Sequence, residues 1–140
     1  MPAPGLPDFS GLLFLVVEDD ADSREFLRAV LERYGARVIE ADNVRTARGY
    51  IETLKIDLII TDLALPEEDG AMLLKWLRAR PAEKSGAVPV IAVTAYYEKY
   101  PPAQLRGWAA YFQKPLQIEQ LVGTIAAILG RGGTPHGQGQ

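Results

Sequence analysis

The chain contains no cysteine, a single histidine and no long apolar run. Without cysteine there are no disulfides, no thiolate zinc sites and no thiol nucleophile. No apolar stretch approaches the roughly 20 residues that a membrane helix needs. The N-terminus has neither the basic region nor the apolar core of a signal peptide. A cytoplasmic setting with no membrane contact is the expectation. Strong charge of one sign is missing too, with a formal net charge of −3 and a pI near 5.2. That balance argues against direct binding to nucleic acid.

What is present suits one globular domain. The 140 residues are 48% apolar and 24% charged, enough for a single sizeable core. Residues 1–10, MPAPGLPDFS, hold three prolines and a glycine and are expected to form an unstructured lead. Residues 130–140, GRGGTPHGQGQ, are Gly-rich and are expected to form a disordered tail after a domain spanning 11–129.

Between these ends two patterns alternate. Short apolar runs stand at 12–17 (LLFLVV), 37–41 (RVIEA), 57–61 (DLIIT), 88–95 (VPVIAVTA) and 109–113 (AAYFQ). The first, third and fourth show little polar alternation, as strands covered on both faces do. Helical stripes fill the gaps. Phe26, Leu27, Val30, Leu31 and Tyr34 share a face that Gly35 can terminate. Val44, Ala47, Ile51 and Leu54 form a second stripe, and Met72, Leu73, Trp76 and Leu77 a third. Ile118, Leu121, Val122, Ile125 and Leu129 form the last. The remaining gap, YYEKYPPAQLRGW, is weaker, because Pro101 and Pro102 fit a helix only in its first turn. It predicts a short or distorted helix from about Pro102 to Gly107. Strands alternating with helices imply right-handed crossovers and an α/β fold, a five-stranded parallel sheet wound on both faces.

In such sheets, sites form beyond the carboxyl ends of the strands, at the point where strand order reverses. The first run ends in Glu18-Asp19-Asp20 and the third in Asp62. The fourth ends with Thr94, and the fifth is followed by Lys114-Pro115. Taken singly, each has an ordinary explanation: a solvated turn, a helix cap for Asp20 or Asp22, a surface lysine. In conjunction they place acids, an acid, a hydroxyl and an ammonium on one edge. Carboxylates so close repel one another unless a cation neutralises them. With no His or Cys near, a hard ion such as Mg²⁺ or Mn²⁺ is favoured. A carboxylate beside such an ion can attack phosphorus, with Lys114 and Thr94 available to phosphoryl oxygens.

These segments resemble the receiver domain of response regulators in two-component signalling, over roughly residues 11–129. LLFLVVEDDADSREFL is similar to the first strand and acidic loop of that family. DLIITDLALPEEDG is similar to its D-x-x-x-P-x-x-D-G acceptor segment, VPVIAVTA to the strand ending in Thr-Ala, and YFQKPL to the aromatic-x-x-Lys-Pro segment. The resemblance implies a (βα)5 flavodoxin-like fold. It implies that Asp62 accepts a phosphoryl group from a histidine kinase, a phosphotransfer protein or a small phosphodonor. Asp19 would bind the divalent metal directly and Glu18 would assist, with the Ala64 carbonyl as a further ligand. Lys114 would pair with the acceptor. Thr94 and Tyr111 would move toward the phosphate, while Pro66 and Gly70 shape the loop. An output protein would meet the face formed by the fourth helix, fifth strand and fifth helix, and a homodimer is possible. Beyond this self-catalysed chemistry no enzyme activity is expected.

The chain departs from the family pattern between Thr94 and Lys114, which lie 20 positions apart, slightly fewer than is usual. Tyr96, Tyr97, Tyr100 and Trp108 crowd that segment, as packing around a short helix or as an aromatic docking surface. Ala64 and Tyr96 stand where family variation tunes phosphate lifetime. His136, in the tail, is not expected to transfer phosphate. Four alternatives remain. A hybrid histidine kinase could carry this receiver as one segment. A phosphohydrolase would need an acid where Ala64 stands. A flavin module would need a Ser/Thr/Gly-rich loop in place of EDDADS. A receiver kept only as a scaffold would not need the complete set.

Overall fold

The computed structural model describes residues 5–101 and 106–132. Five strands, β1 (Leu13–Val17), β2 (Arg37–Ala41), β3 (Leu58–Asp62), β4 (Val90–Thr94) and β5 (Ala110–Gln113), form one sheet in the order β2-β1-β3-β4-β5. Every pairing is parallel. Four α-helices, α1 (Ala21–Arg33), α2 (Val44–Thr53), α3 (Gly70–Arg78) and α4 (Ile118–Leu129), connect or follow them among the described residues. β1, β3 and β4 are buried along their whole length, which is why their sequences lack alternation.

The sheet separates two apolar layers. On one face Leu27 and Leu31 of α1 and Leu121, Val122 and Ile125 of α4 pack on Phe14, Val16, Ile60, Ile91 and Val93. On the other, Val44, Ala47 and Ile51 of α2 and Leu73, Leu74 and Leu77 of α3 pack on Leu15, Val17 and Ile59. Asp20, Asn43 and Asp69 cap α1, α2 and α3 by accepting the N–H of Ser23, Thr46 and Met72. Each cap stabilises its helix by about 1 kcal/mol. Gly35, at φ +97°, follows the end of α1 as expected.

Two expectations change. The N-terminal lead is not unstructured where it is described: Phe9 is fully buried against Phe14 and Tyr34, and its N–H donates to the Tyr34 carbonyl at 2.7 Å. Arg131, just past α4, donates to the carbonyls of Asp8 and Ser10, so the first residues of the expected tail are anchored as well. A single aromatic side chain among prolines was enough to fill the open end of the core. Second, Phe26 and Met72 lie at the margins of their stripes and are 57% and 49% exposed, while Leu74 turns inward. β3 ends on Asp62 as expected and begins at Leu58, one residue into the run 57–61. Residues 102–105 of the expected short helix lie outside the described residues. Among those described, Tyr96–Tyr100 make one turn, with the N–H of Lys99 and Tyr100 both donating to the Tyr96 carbonyl. The rest of the expected tail, including His136, is also outside the described residues.

Candidate functional site at the carboxyl edge of the sheet

The chain runs outward from β1 to β2 and returns on the other side through β3, so the strand order reverses between β1 and β3. Glu18 and Asp62 stand at the carboxyl ends of those two strands. Both are almost fully buried, at 6% and 7% exposure, whereas Asp19 is exposed. Oxygens of Glu18, Asp19 and Asp62 lie within 4.8 Å of one another.

Lys114 reaches this cluster from the end of β5. Its Nζ donates to Asp62 Oδ2 at 2.7 Å and to Glu18 Oε1 at 2.5 Å. Its backbone is fixed by the bond from its N–H to the Thr94 carbonyl, and the Lys114–Pro115 peptide is cis. Asp62 Oδ1 accepts the N–H of Ala64 at 2.9 Å, and Glu18 Oε2 accepts that of Asp20 at 3.1 Å. Thr94 is fully buried at the end of β4, its Oγ1 accepting the N–H of Tyr96 at 2.9 Å. Tyr111, on β5, donates its hydroxyl to the Tyr100 carbonyl at 3.0 Å and sets its ring edge-on to Tyr97.

Burial pushes the Glu18 carboxyl above the ordinary glutamate value, more than its bonds to Lys114 and Asp20 lower it. Burial also disfavours the Lys114 ammonium, but the two carboxylates outweigh it and hold that group above the usual lysine value. Three carboxylates thus meet one ammonium. The donors are all oxygen and the charge is left negative, a set that suits a hard divalent cation. An apolar cavity of about 530 Å³ opens beside the cluster, lined by Phe26, Leu27, Val93, Pro115 and Leu116.

The sequence model of the response regulator receiver domain matches residues 14–126. The chain belongs to this family. The polar-differentiation response regulator DivK of Brucella anthropi is 32% identical over 118 residues, covering 83% of this chain and 94% of DivK. The KDP operon transcriptional regulatory protein KdpE of Escherichia coli is 40% identical over 121 residues, covering 84% of this chain but 51% of KdpE. Among solved structures, the signal receiver domain of a signal transduction histidine kinase from Syntrophus aciditrophicus superposes with a TM-score of 0.77. It is 26% identical and covers 93% of this chain and 97% of that one.

This receiver domain brings Glu18, Asp19, Asp62 and Lys114 together as the strand-end argument expects, with Asp20 as the cap of α1. Three contacts were not anticipated from the sequence. Lys114 is shared with Glu18 rather than reserved for Asp62. Arg24 donates to the Glu18 carbonyl. Arg48 Nη2 bonds Glu68 Oε1 at 2.8 Å and lies over Trp76, tying the loop after Asp62 to α2. The signal for Arg24 was available in Glu40, a charge placed inside the second apolar run.

Proposed function

We propose that this receiver domain takes a phosphoryl group onto Asp62 and so switches a partner-binding face. The observation that carries this reading is the placement of Asp62 at the end of β3, bonded to Lys114 and within 4.8 Å of Glu18 and Asp19 oxygens. Glu18, Asp19, Asp62 and the Ala64 carbonyl would hold Mg²⁺ or Mn²⁺. When bound, that ion supplies positive charge to the phosphoryl oxygens.

In the transfer, an Asp62 oxygen bonds to phosphorus as the P–N bond of a phosphohistidine on the kinase or phosphotransfer partner breaks. The imidazole keeps the electron pair and takes up a proton. Lys114 neutralises charge on the transferring oxygens, which is most of what such a loose transition state asks of a protein. Water later attacks the same phosphorus in line, the bond between phosphorus and the Asp62 oxygen breaks, and orthophosphate leaves with the Asp62 carboxylate restored. The chain turns over no external substrate, so the chemistry is a self-modification and not an enzyme activity in the usual sense. The proposed setting is the cytoplasm. Among the described residues no helix is long and apolar enough to cross a membrane.

The added charge biases a two-state equilibrium in which Thr94 and Tyr111 draw toward the phosphate. Movement of Tyr111 must break its bond to the Tyr100 carbonyl, which would alter the face formed by residues 96–101, β5 and α4. Tyr96 and Tyr97 are 60% and 43% exposed there, so an output protein has aromatic anchors to meet. A second placement, as the receiver segment of a hybrid histidine kinase, is favoured by the likeness to the Syntrophus receiver.

Intact-mass measurement after incubation with acetyl phosphate, with and without Mg²⁺, tests the reading on wild type and Asp62→Asn. A metal-dependent gain of one phosphoryl group in wild type alone is the expected result. No gain with acetyl phosphate or with a phosphorylated kinase would leave a scaffold receiver.

A further inference from the structure

Arg24 is not one of the acids or strand-end groups that define the site, yet it is bonded to the site's backbone. Its Nη1 donates to the Glu18 carbonyl at 2.9 Å, and its Nε donates to Glu40 Oε1 at 3.0 Å. The pair is half-buried, with side-chain exposures of 20% and 21%. Glu40 Oε2 in turn accepts from Arg28 Nη1 at 2.6 Å, and Arg28 Nε bonds Glu32 Oε2 at 3.0 Å.

The Glu18–Asp19 peptide is a rigid plane with one candidate ligand on each side of it. On its amino side Glu18 is fixed by the sheet, through its N–H to the Ala41 carbonyl at 3.0 Å. On its carbonyl side the fixing group is Arg24. Asp19 is exposed and makes no hydrogen bond or ion pair with the other described residues, so its aim depends on the backbone that carries it. A guanidinium this close to a cation site would repel the ion. Glu40 is placed to cancel that charge while leaving the donated hydrogen bond intact.

We propose that Arg24 is a positioning residue for the divalent-cation site, bracing the Glu18–Asp19 peptide through the Glu18 carbonyl, with Glu40 neutralising the brace. The proposal rests on the reading that Glu18, Asp19 and Asp62 bind such an ion. Outer partners that orient ligands commonly change metal affinity by about ten- to a hundredfold when removed.

The test is titration with Mn²⁺, read by the electron paramagnetic resonance signal of the free ion, so that no phosphorylation is required. Asp19→Asn serves as the control for the cation reading. Arg24→Ala is expected to weaken Mn²⁺ binding on the order of tenfold. Arg24→Lys, with donors too few and too compact for both partners, should restore part of it. Glu40→Gln leaves Arg24 charged and should weaken binding at low salt, the deficit shrinking as salt screens it. In the double variant the two losses should not add. Denaturant unfolding in metal-free buffer separates loss of fold from loss of binding, and Arg24→Lys serves where Arg24→Ala does not fold. Wild-type affinity in folded Arg24→Ala or Arg24→Lys overturns the brace while the cation reading stands. Absence of binding by wild type overturns both.

Discussion

Lys114 Nζ lies 2.7 Å from Asp62 Oδ2, across 52 positions of sequence, and the same ammonium is bonded to Glu18. The lysine therefore has two tasks in this arrangement. It offsets the charge of two buried carboxylates, and it stands beside the oxygen that would meet phosphorus.

Replacing it separates those tasks from mere packing. Lys114→Met keeps the apolar stem and removes the ammonium bonded to Asp62 and Glu18. Loss of one such preorganised donor costs about a hundredfold or more in rate. Time courses of acetyl-phosphate labelling by intact mass should show that fall with the fold intact. A labelling rate within a factor of two of wild type would remove Lys114 from the chemistry.

The buried Glu18 carboxyl sets a pH dependence. Its pKa is raised in the folded chain, chiefly by burial, so the folded state holds that proton more tightly than the unfolded state. Stability contributed in this way is present at acid pH. It is lost as pH rises from the unfolded value, that of an ordinary glutamate, through the higher folded one. Glu18→Gln removes the titration while keeping an acceptor for Lys114. In metal-free buffer the variant should melt higher than wild type at pH 7, and the gap should close below the ordinary glutamate value. Melting curves that run parallel across this range would contradict the assignment.

The amino-terminal segment offers a test of stability far from the chemistry. Phe9 is fully buried against Phe14 and Tyr34, and Arg131 holds the carbonyls of Asp8 and Ser10. Phe9→Ala is expected to cost about 3 kcal/mol, the lower end for a buried aromatic. Urea unfolding measures it directly. A loss under about 1 kcal/mol would mean that Phe9 contributes little to the core.

The parallel sheet and the edge that carries the site were legible because they follow from apolar runs alternating with helical stripes and from charge at run ends, whereas the strand order β2-β1-β3-β4-β5 came only with the structure. Glu18, Asp62, Thr94 and Lys114 could be placed by strand ends alone. Phe9 could not, since nothing local distinguishes an aromatic that fills a core opening from one in a loose proline-rich lead. Phe26 shows the converse error: periodicity gives a face, but the width of the buried stripe depends on how closely α1 approaches the sheet. The shared use of Lys114 and the reach of Arg24 depend on side-chain length and direction across distant elements, which spacing does not carry.

Tyr111 probes the face beyond the site. Tyr111→Phe deletes the bond to the Tyr100 carbonyl and leaves the ring against Tyr97. Such a bond contributes about 1 kcal/mol. Amide exchange of Lys99 and Tyr100, whose N–H groups close the turn on Tyr96, should quicken by roughly fivefold, while exchange in β4 is unchanged. Unchanged exchange in the turn would show that Tyr111 does not hold it.

Gly70 sets how closely α3 approaches Asp62. A Cβ added there would lie 2.5 Å from the Asp62 carbonyl oxygen and 3.1 Å from Leu63 Cα, both backbone atoms that no rotamer change can move. The glycine N–H also donates to the Leu63 carbonyl at 3.0 Å, so the helix start and the end of β3 are joined at this point. Gly70→Ala must push α3 and Asp62 apart. The clash is expected to cost about 1–3 kcal/mol, and the displaced acceptor should label with acetyl phosphate more slowly than in wild type. The control is Gly123→Ala in α4, where an added Cβ meets nothing within 4 Å and helix propensity favours alanine. Gly123→Ala should be as stable as wild type or slightly more so and should label normally. If Gly70→Ala matches it in both measurements, the close approach of α3 to Asp62 has no part in setting the site.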